Sequence, residues 1–163
     1  MKDRSRPPLA ADYLPRLKQV FAAEKLPPEL VWVAEVESSF NPAARSPAGA
    51  AGLFQLMPAT ARALSLSLRP QDERLETEKS ARAAARYLRQ LHGRFGDWRL
   101  ALAAYNAGES RVEALLKKTK TRSFDAIATH LPAETQMFVP RVESVLLRRE
   151  GMKLSQLRSP KGS

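Results

Sequence analysis

The 163-residue sequence contains no cysteine, which excludes a disulfide framework, a thiolate nucleophile and a cysteine-ligated zinc, and leaves the redox compartment undetermined. Histidine is almost as scarce. His92 and His130 stand far apart, without the HExxH spacing that puts two imidazoles on one helix face. Structural or solvent-exposed roles are therefore expected for both, and no metal site. Nothing supports a Ser-His triad. No apolar run approaches the roughly 18 residues that a transmembrane helix needs. The opening "MKDRSRPPLAADYLP" carries charge but no apolar h-region, so neither a signal peptide nor a membrane span is expected in these residues. Zinc-finger, KH and RRM signatures are missing, as are internal repeats and segments with convincing strand alternation.

What is present is a globular composition, with 44% hydrophobic and 7% aromatic residues and 27% charged residues of mixed sign. A chain of this length predicts one domain. The expected division is a disordered N-terminal segment over 1–10, one folded domain over 11–149 and a basic flexible tail over 150–163. With 27 Lys and Arg against 17 Asp and Glu, the formal charge of +10 points to an anionic partner. Nucleic acid, anionic lipid and acidic wall polymer all fit a charge that steers encounter without naming the partner. The basic residues are spread along the chain, and nucleic acid is not the expected target.

The periodicity is helical nearly throughout. Leu14, Leu17, Val20 and Phe21 predict a first helix from about Ala11 to Glu24, with Pro15 in its first turn. Pro28 suits the start of a second, running through "ELVWVAEVESS" until Asn41-Pro42. "FNPAARSPAGAAG" reads as a loop, and Pro58 as the opening of a short helix. The segment "TEKSARAAARYLRQLHGRF" predicts a longer one, ended by Gly96. Asp97 should cap "WRLALAAYNA", which Gly108 closes as a left-handed residue. A short helix carrying Val112, Leu115 and Leu116 follows. Ser123 and Pro132 are N-terminal signals for the last two segments, and Pro140 should kink or split the final one.

On the second helix Leu30, Val33, Ala34 and Glu37 share a face, while Glu35 points elsewhere. An ionised acid near a helix C-terminus is disfavoured by about 0.3–1 kcal/mol, and partial burial adds a desolvation cost. Glu37 is thus a candidate general acid, of the kind that a breaking glycosidic bond requires. The alternative is a head group that simply reaches water beyond the helix end. "GAAGLFQLMP" supplies Gly49 and Gly52, which let backbone approach a ligand, and Gln55, a donor and acceptor for sugar hydroxyls and amides. It also supplies Met57 as an apolar surface, although residues such as Met57 and Phe54 belong more often to a core than to a ligand wall. "ALAAYNAGES" presents Tyr105 and Asn106 together at a helix end, for a ligand or as a buried, satisfied pair.

These stretches, in this order, resemble the catalytic domain of the soluble lytic transglycosylase (SLT) family, lysozyme-like enzymes that cleave peptidoglycan. The family's Glu-Ser pair, GLMQ-x-MP and AYNAG stretches are matched by Glu37-Ser38, "GLFQLMP" and "AYNAG". "LPAETQMFVPRV" is similar to a fourth element in the form of the membrane-bound transglycosylase D branch. The resemblance covers roughly Glu24 to Leu147. Phe54 replaces the usual Met of GLMQ, and Phe138 replaces the Tyr usual in the last motif, which removes a hydroxyl.

The resemblance implies an all-α, lysozyme-like domain of the goose-type/SLT kind with a glycan-binding groove. Glu37 would be the catalytic acid and base, with Ser38, Gln55, Met57, Tyr105 and Asn106 binding the glycan, Phe54 and Glu134 supporting, and Tyr105 hydrogen-bonding Glu37. It implies protonation of the oxygen linking N-acetylmuramic acid to N-acetylglucosamine. The acetamido group would stabilise the cation, and the muramic C6 hydroxyl would close on C1 to give a 1,6-anhydro sugar. No cofactor and no metal is implied. The expected partner is a peptidoglycan strand met by a monomer in the periplasm or cell envelope. Asp72, Glu73, Asp97 and Glu109 lie at helix starts and read as caps or dipole partners, leaving one good acid. The competing readings are a goose-type lysozyme with a second carboxylate, and an inactive glycan-binding module.

Overall fold

A computed structural model describes residues 10–160 of the chain. They form two compact units, one up to Arg86 and one from Tyr87, the division falling within a helix. Among the described residues there are helices, 3-10 turns and two isolated bridges but no strand, as the periodicity predicts. Of the segment 1–10 expected to be disordered, all but Ala10 lies outside the described residues. Ala10 opens the first helix and is fully buried.

In the first unit, α1 (Ala10–Ala23) buries Leu14, Leu17, Val20 and Phe21, the stripe set by their spacing. Pro15 stands in its second turn rather than its first, because the helix begins earlier than the apolar pattern does. Lys25, at φ 65°, ends it. The chain then packs back on α1 through a 3-10 turn, Pro28–Trp32, which leads into α2 (Val33–Ser38).

The stop comes before Asn41-Pro42. Ser39 (φ 53°) and Phe40 (φ 60°) are both left-handed, and their amides donate to the carbonyls of Glu35 (3.0 Å) and Ala34 (3.3 Å). Left-handed backbone costs a non-glycine residue about 1–2 kcal/mol. Phe40 offsets it by complete burial, edge-on to Trp32 at 5.6 Å.

In the following loop Ala51 and Leu56 exchange backbone hydrogen bonds of 3.1 and 3.2 Å, closing a tight turn over 52–55. Then come α3 (Pro58–Ala63), with its proline at the start as predicted, and a 3-10 turn, Glu73–Leu75. The long helix α4 (Thr77–Phe95) follows, burying Ala81, Ala84, Ala85, Leu88 and Leu91.

In the second unit Gly96 (φ 71°) ends α4, and Asp97 caps α5 (Trp98–Ala107) by accepting from the amide of Leu100 at 3.0 Å. Helix α5 is buried from Leu100 to Ala104 and packs on α6 (Glu109–Thr119) and α8 (Ala133–Glu150). Gly108 is not the left-handed helical cap that was expected. Its φ of 96° comes with an extended ψ of 140°, which turns the chain from α5 into α6 within one residue. The short α7 (Phe124–Ile127) precedes α8.

Pro140 does not split α8, which runs through it. A helix-interior proline costs about 3 kcal/mol, and burial of Phe138, Val139, Val142, Val145 and Leu146 on either side outweighs it. The segment after Glu150, expected as a flexible tail, forms a 3-10 turn, Leu154–Gln156. This turn packs on α5, and Leu154 and Leu157 are buried.

Candidate active site

The residues singled out in the sequence fall into two clusters, one in each unit. In the first, α2 places Glu37 one residue before its end, half-buried. Ser38 follows, and its hydroxyl lies 2.8 Å from the carbonyl oxygen of Leu53 and 3.1 Å from that of Ala34. With one proton to give, Ser38 ties the end of α2 to the turn that carries Gln55.

Gln55 has a positive φ of 49°. Its Nε2 donates to the carbonyls of Gly52 (2.9 Å) and Ala44 (3.2 Å), an orientation fixed because both partners are acceptors. The donor half of this amide therefore serves the loop. Its oxygen, an acceptor, is the half that could meet a ligand. Met57 is 42% exposed at the start of α3, while Phe54 is fully buried and stacked on Phe21 at 5.5 Å, behind the loop. At Gly52 the close approach that glycine permits is to the chain itself: a Cβ there would lie 1.9 Å from the carbonyl oxygen of Arg74.

Arg74 was not legible as a site residue. It is 5% exposed, and its guanidinium donates to the carbonyls of Gly49 and Leu56 and to both carboxylate oxygens of Asp72. Asp72 also accepts from the backbone amide of Arg74 at 3.1 Å, so the expected cap is made. Hydrogen bonds from the Arg74 side chain, above all, hold the Asp72 carboxyl below its ordinary range, against the opposing effect of burial.

In the second unit Tyr105 and Asn106 occupy the last turn of α5, both half-buried. The Tyr105 ring lies 5.5 Å from that of Tyr87 and 6.4 Å from that of Phe138, parallel to the latter within 8°. Phe138, where the family has Tyr, is 4% exposed and lies in that ring stack. Asn106 is held from α8: its Oδ1 accepts from the Thr135 hydroxyl at 2.7 Å, and its Nδ2 donates to Glu134 at 3.4 Å. Thr135 is 1% exposed. The sequence offered a signal for it, the Glu-Thr pair of "LPAET", of which only the acid was singled out.

This unit also has a cleft of about 730 Å³ whose lining includes His92, Trp98, Arg99, Glu143 and Leu147, and none of the predicted glycan-binding residues. His92 packs against Trp98 at 4.2 Å, and burial pushes its pKa down, with Asp97 opposing. Among the described residues no three His, Cys, Asp or Glu side chains are grouped to hold a metal ion. No helix among them is long and apolar enough to cross a membrane.

Comparison with known proteins adds to this geometry. The family model "Transglycosylase SLT domain" matches residues 18–130. The chain is 42% identical over 121 residues to the membrane-bound lytic murein transglycosylase D of Escherichia coli K12, covering 72% of this chain and 27% of that protein. It is 38% identical to the soluble lytic murein transglycosylase of Salmonella typhimurium over 68% of this chain and 18% of that protein. The chain thus spans less than a third of the length of either relative. Among solved structures, an inactive mutant of the lytic transglycosylase Slt from Pseudomonas aeruginosa superposes with a TM-score of 0.71 at 33% identity. That match covers 88% of this chain and 24% of the other. The expected lysozyme-like helical fold is thereby met, and the chain belongs to the transglycosylase SLT domain family.

Proposed function

We propose that this chain is the catalytic domain of a peptidoglycan lytic transglycosylase. It cleaves the β-1,4 bond between N-acetylmuramic acid and N-acetylglucosamine without consuming water. Glu37 gives its proton to the glycosidic oxygen as the bond to C1 breaks, and the neighbouring acetamido group stabilises the cation. The carboxylate then takes the proton of the muramic C6 hydroxyl, whose oxygen bonds to C1 and leaves a 1,6-anhydro end. The last turn of α2 suits this double role, because the negative end of a helix favours a protonated acid.

The observation that carries this reading is what the other candidate acids are doing. Asp72 is bound by Arg74, and Glu73 accepts from the amide of Ser67 and from Lys79. Asp97 caps α5, and Glu109 pairs with Arg94 at 2.9 Å. Hydrolytic glycosidases canonically use a second carboxylate, as nucleophile or to activate water. With these acids committed elsewhere, the single-acid route is favoured over the goose-type lysozyme reading.

Ser38, Gln55, Met57, Tyr105 and Asn106 are the residues assigned to glycan binding in this account, with Phe54 and Glu134 in supporting roles, Glu134 through its hydrogen bond from Asn106. The exposed Met57 offers an apolar face to a sugar ring, and the Gln55 oxygen accepts from a hydroxyl or acetamido N–H. On this reading the enzyme works on glycan strands in the periplasm or cell envelope, as a monomer. Incubating purified wall sacculi with wild-type protein and with Glu37→Gln tests the assignment. Both should sediment with the sacculi and only the wild type should clear them; equal clearing by the mutant contradicts the site.

A further inference from the structure

An arginine is rarely buried unless its N–H groups are matched, because an unpaired interior charge is costly. Arg74 meets that condition in an instructive way. Nη1 donates at 2.8 Å to the carbonyls of both Gly49 and Leu56, which lie on opposite sides of the turn over 52–55. Nε and Nη2 grip Asp72 in a two-pronged pair of 3.0 and 2.8 Å, with Arg45 also 3.6 Å from that carboxylate. The first residue of the same turn, Gly52, packs against the Arg74 carbonyl.

The turn needs holding. Gln55 carries a left-handed φ of 49°, a conformation that persists in a non-glycine residue only where the surroundings enforce it. Leu56, whose carbonyl Arg74 grips, stands between Gln55 and Met57. A shift of that one peptide would move both groups assigned to the glycan, and a misplacement of about 1 Å can cost around 100-fold in rate.

We propose that Arg74, braced by Asp72, is a positioning residue of the transglycosylase reaction: it fixes the loop that presents Gln55 and Met57 to the glycan. This rests on the function proposed above. Arg74 touches no substrate in this account and acts only through the loop.

The test compares variants of the full chain on soluble glycan strands, with thermal unfolding measured alongside. Arg74→Met keeps the stem and loses the donors; Arg74→Lys keeps the charge without the fork. Val20→Ala, in the buried face of α1, is the destabilised control. Arg74→Met should lower kcat/KM by about 10- to 100-fold at a temperature where it is folded, with a rise in KM contributing, and Arg74→Lys should restore part of it. Val20→Ala should stay within about 2-fold once corrected for folded fraction. Should Arg74→Met not fold, Asp72→Asn removes the brace, keeps the arginine and gives the same comparison.

The inference is overturned if the clamp variants lose activity only in step with folded fraction, as the control does. Strand affinity measured in a Glu37→Gln background separates the two readings. If the wild type releases no product but strand binding still weakens about 10-fold with Arg74→Met, the reaction has been misassigned and the positioning role stands. An active wild type with binding and turnover indifferent to Arg74 sinks the positioning role alone.

Discussion

Gly52 lies so close to Arg74 that a methyl group on its Cα would sit 1.9 Å from the Arg74 carbonyl oxygen and 3.5 Å from the hydroxyl of Ser80. Its φ of 85° is unfavourable for any L side chain as well. Gly52→Ala must therefore move backbone on one side of the turn or the other. The expected loss is about 2–5 kcal/mol, the sum of left-handed strain and overpacking. Urea unfolding of the two proteins measures it. Gly49, where a Cβ would meet only Pro58 at 3.9 Å, should cost less on the same substitution.

Ser80 offers a change in the opposite direction. It is fully buried in α4, and its hydroxyl has no hydrogen-bond partner among the described residues. Ser80→Ala removes an unsatisfied polar atom and improves helix propensity, so stability should rise by about 1–2 kcal/mol. A higher denaturation midpoint with unchanged slope is the expected signature.

The bond from Thr135 to Asn106 ties the end of α5 to α8. Thr135→Val keeps the shape and leaves the Asn106 oxygen without that donor. The variant should lose about 1–3 kcal/mol in stability, and its activity on sacculi should fall further than its folded fraction. Thr135→Ser, which keeps the hydroxyl, should recover most of both.

His92 sets a pH dependence. Burial lowers its folded pKa below the ordinary 6.5, so the unfolded chain binds its proton more readily. Stability contributed by neutral His92 is complete above about 6.5 and is lost as pH falls through the lower, folded value. Thermal unfolding between pH 7.5 and 5 should show wild type losing more stability than His92→Gln.

The helices were legible because their cues are local: the Leu14, Leu17, Val20, Phe21 stripe, Pro58 at the start of α3, and Asp97 as a cap that accepts from Leu100. Boundaries failed where tertiary burial overrode a local signal. Phe40 ends α2 early because its ring is buried on Trp32, and Pro140 rides within α8 because apolar residues are buried on both sides of it. The site was legible in its motif residues and not in what orients them. Asp72 was readable as a cap, whereas the reach of Arg74 to Gly49, 25 residues away, has no periodic trace. The Gln55 amide was expected to offer ligands both its halves, and the fold uses the donor half for Ala44 and Gly52.

The most direct test of the central claim is a mass spectrum of the soluble products from purified peptidoglycan digested with the wild type and with Glu37→Gln. The account predicts muropeptides lighter by one water than hydrolytic products, formed by the wild type and absent with the mutant. Reducing muropeptides of full hydrolytic mass would contradict it and require a second carboxylate that activates water.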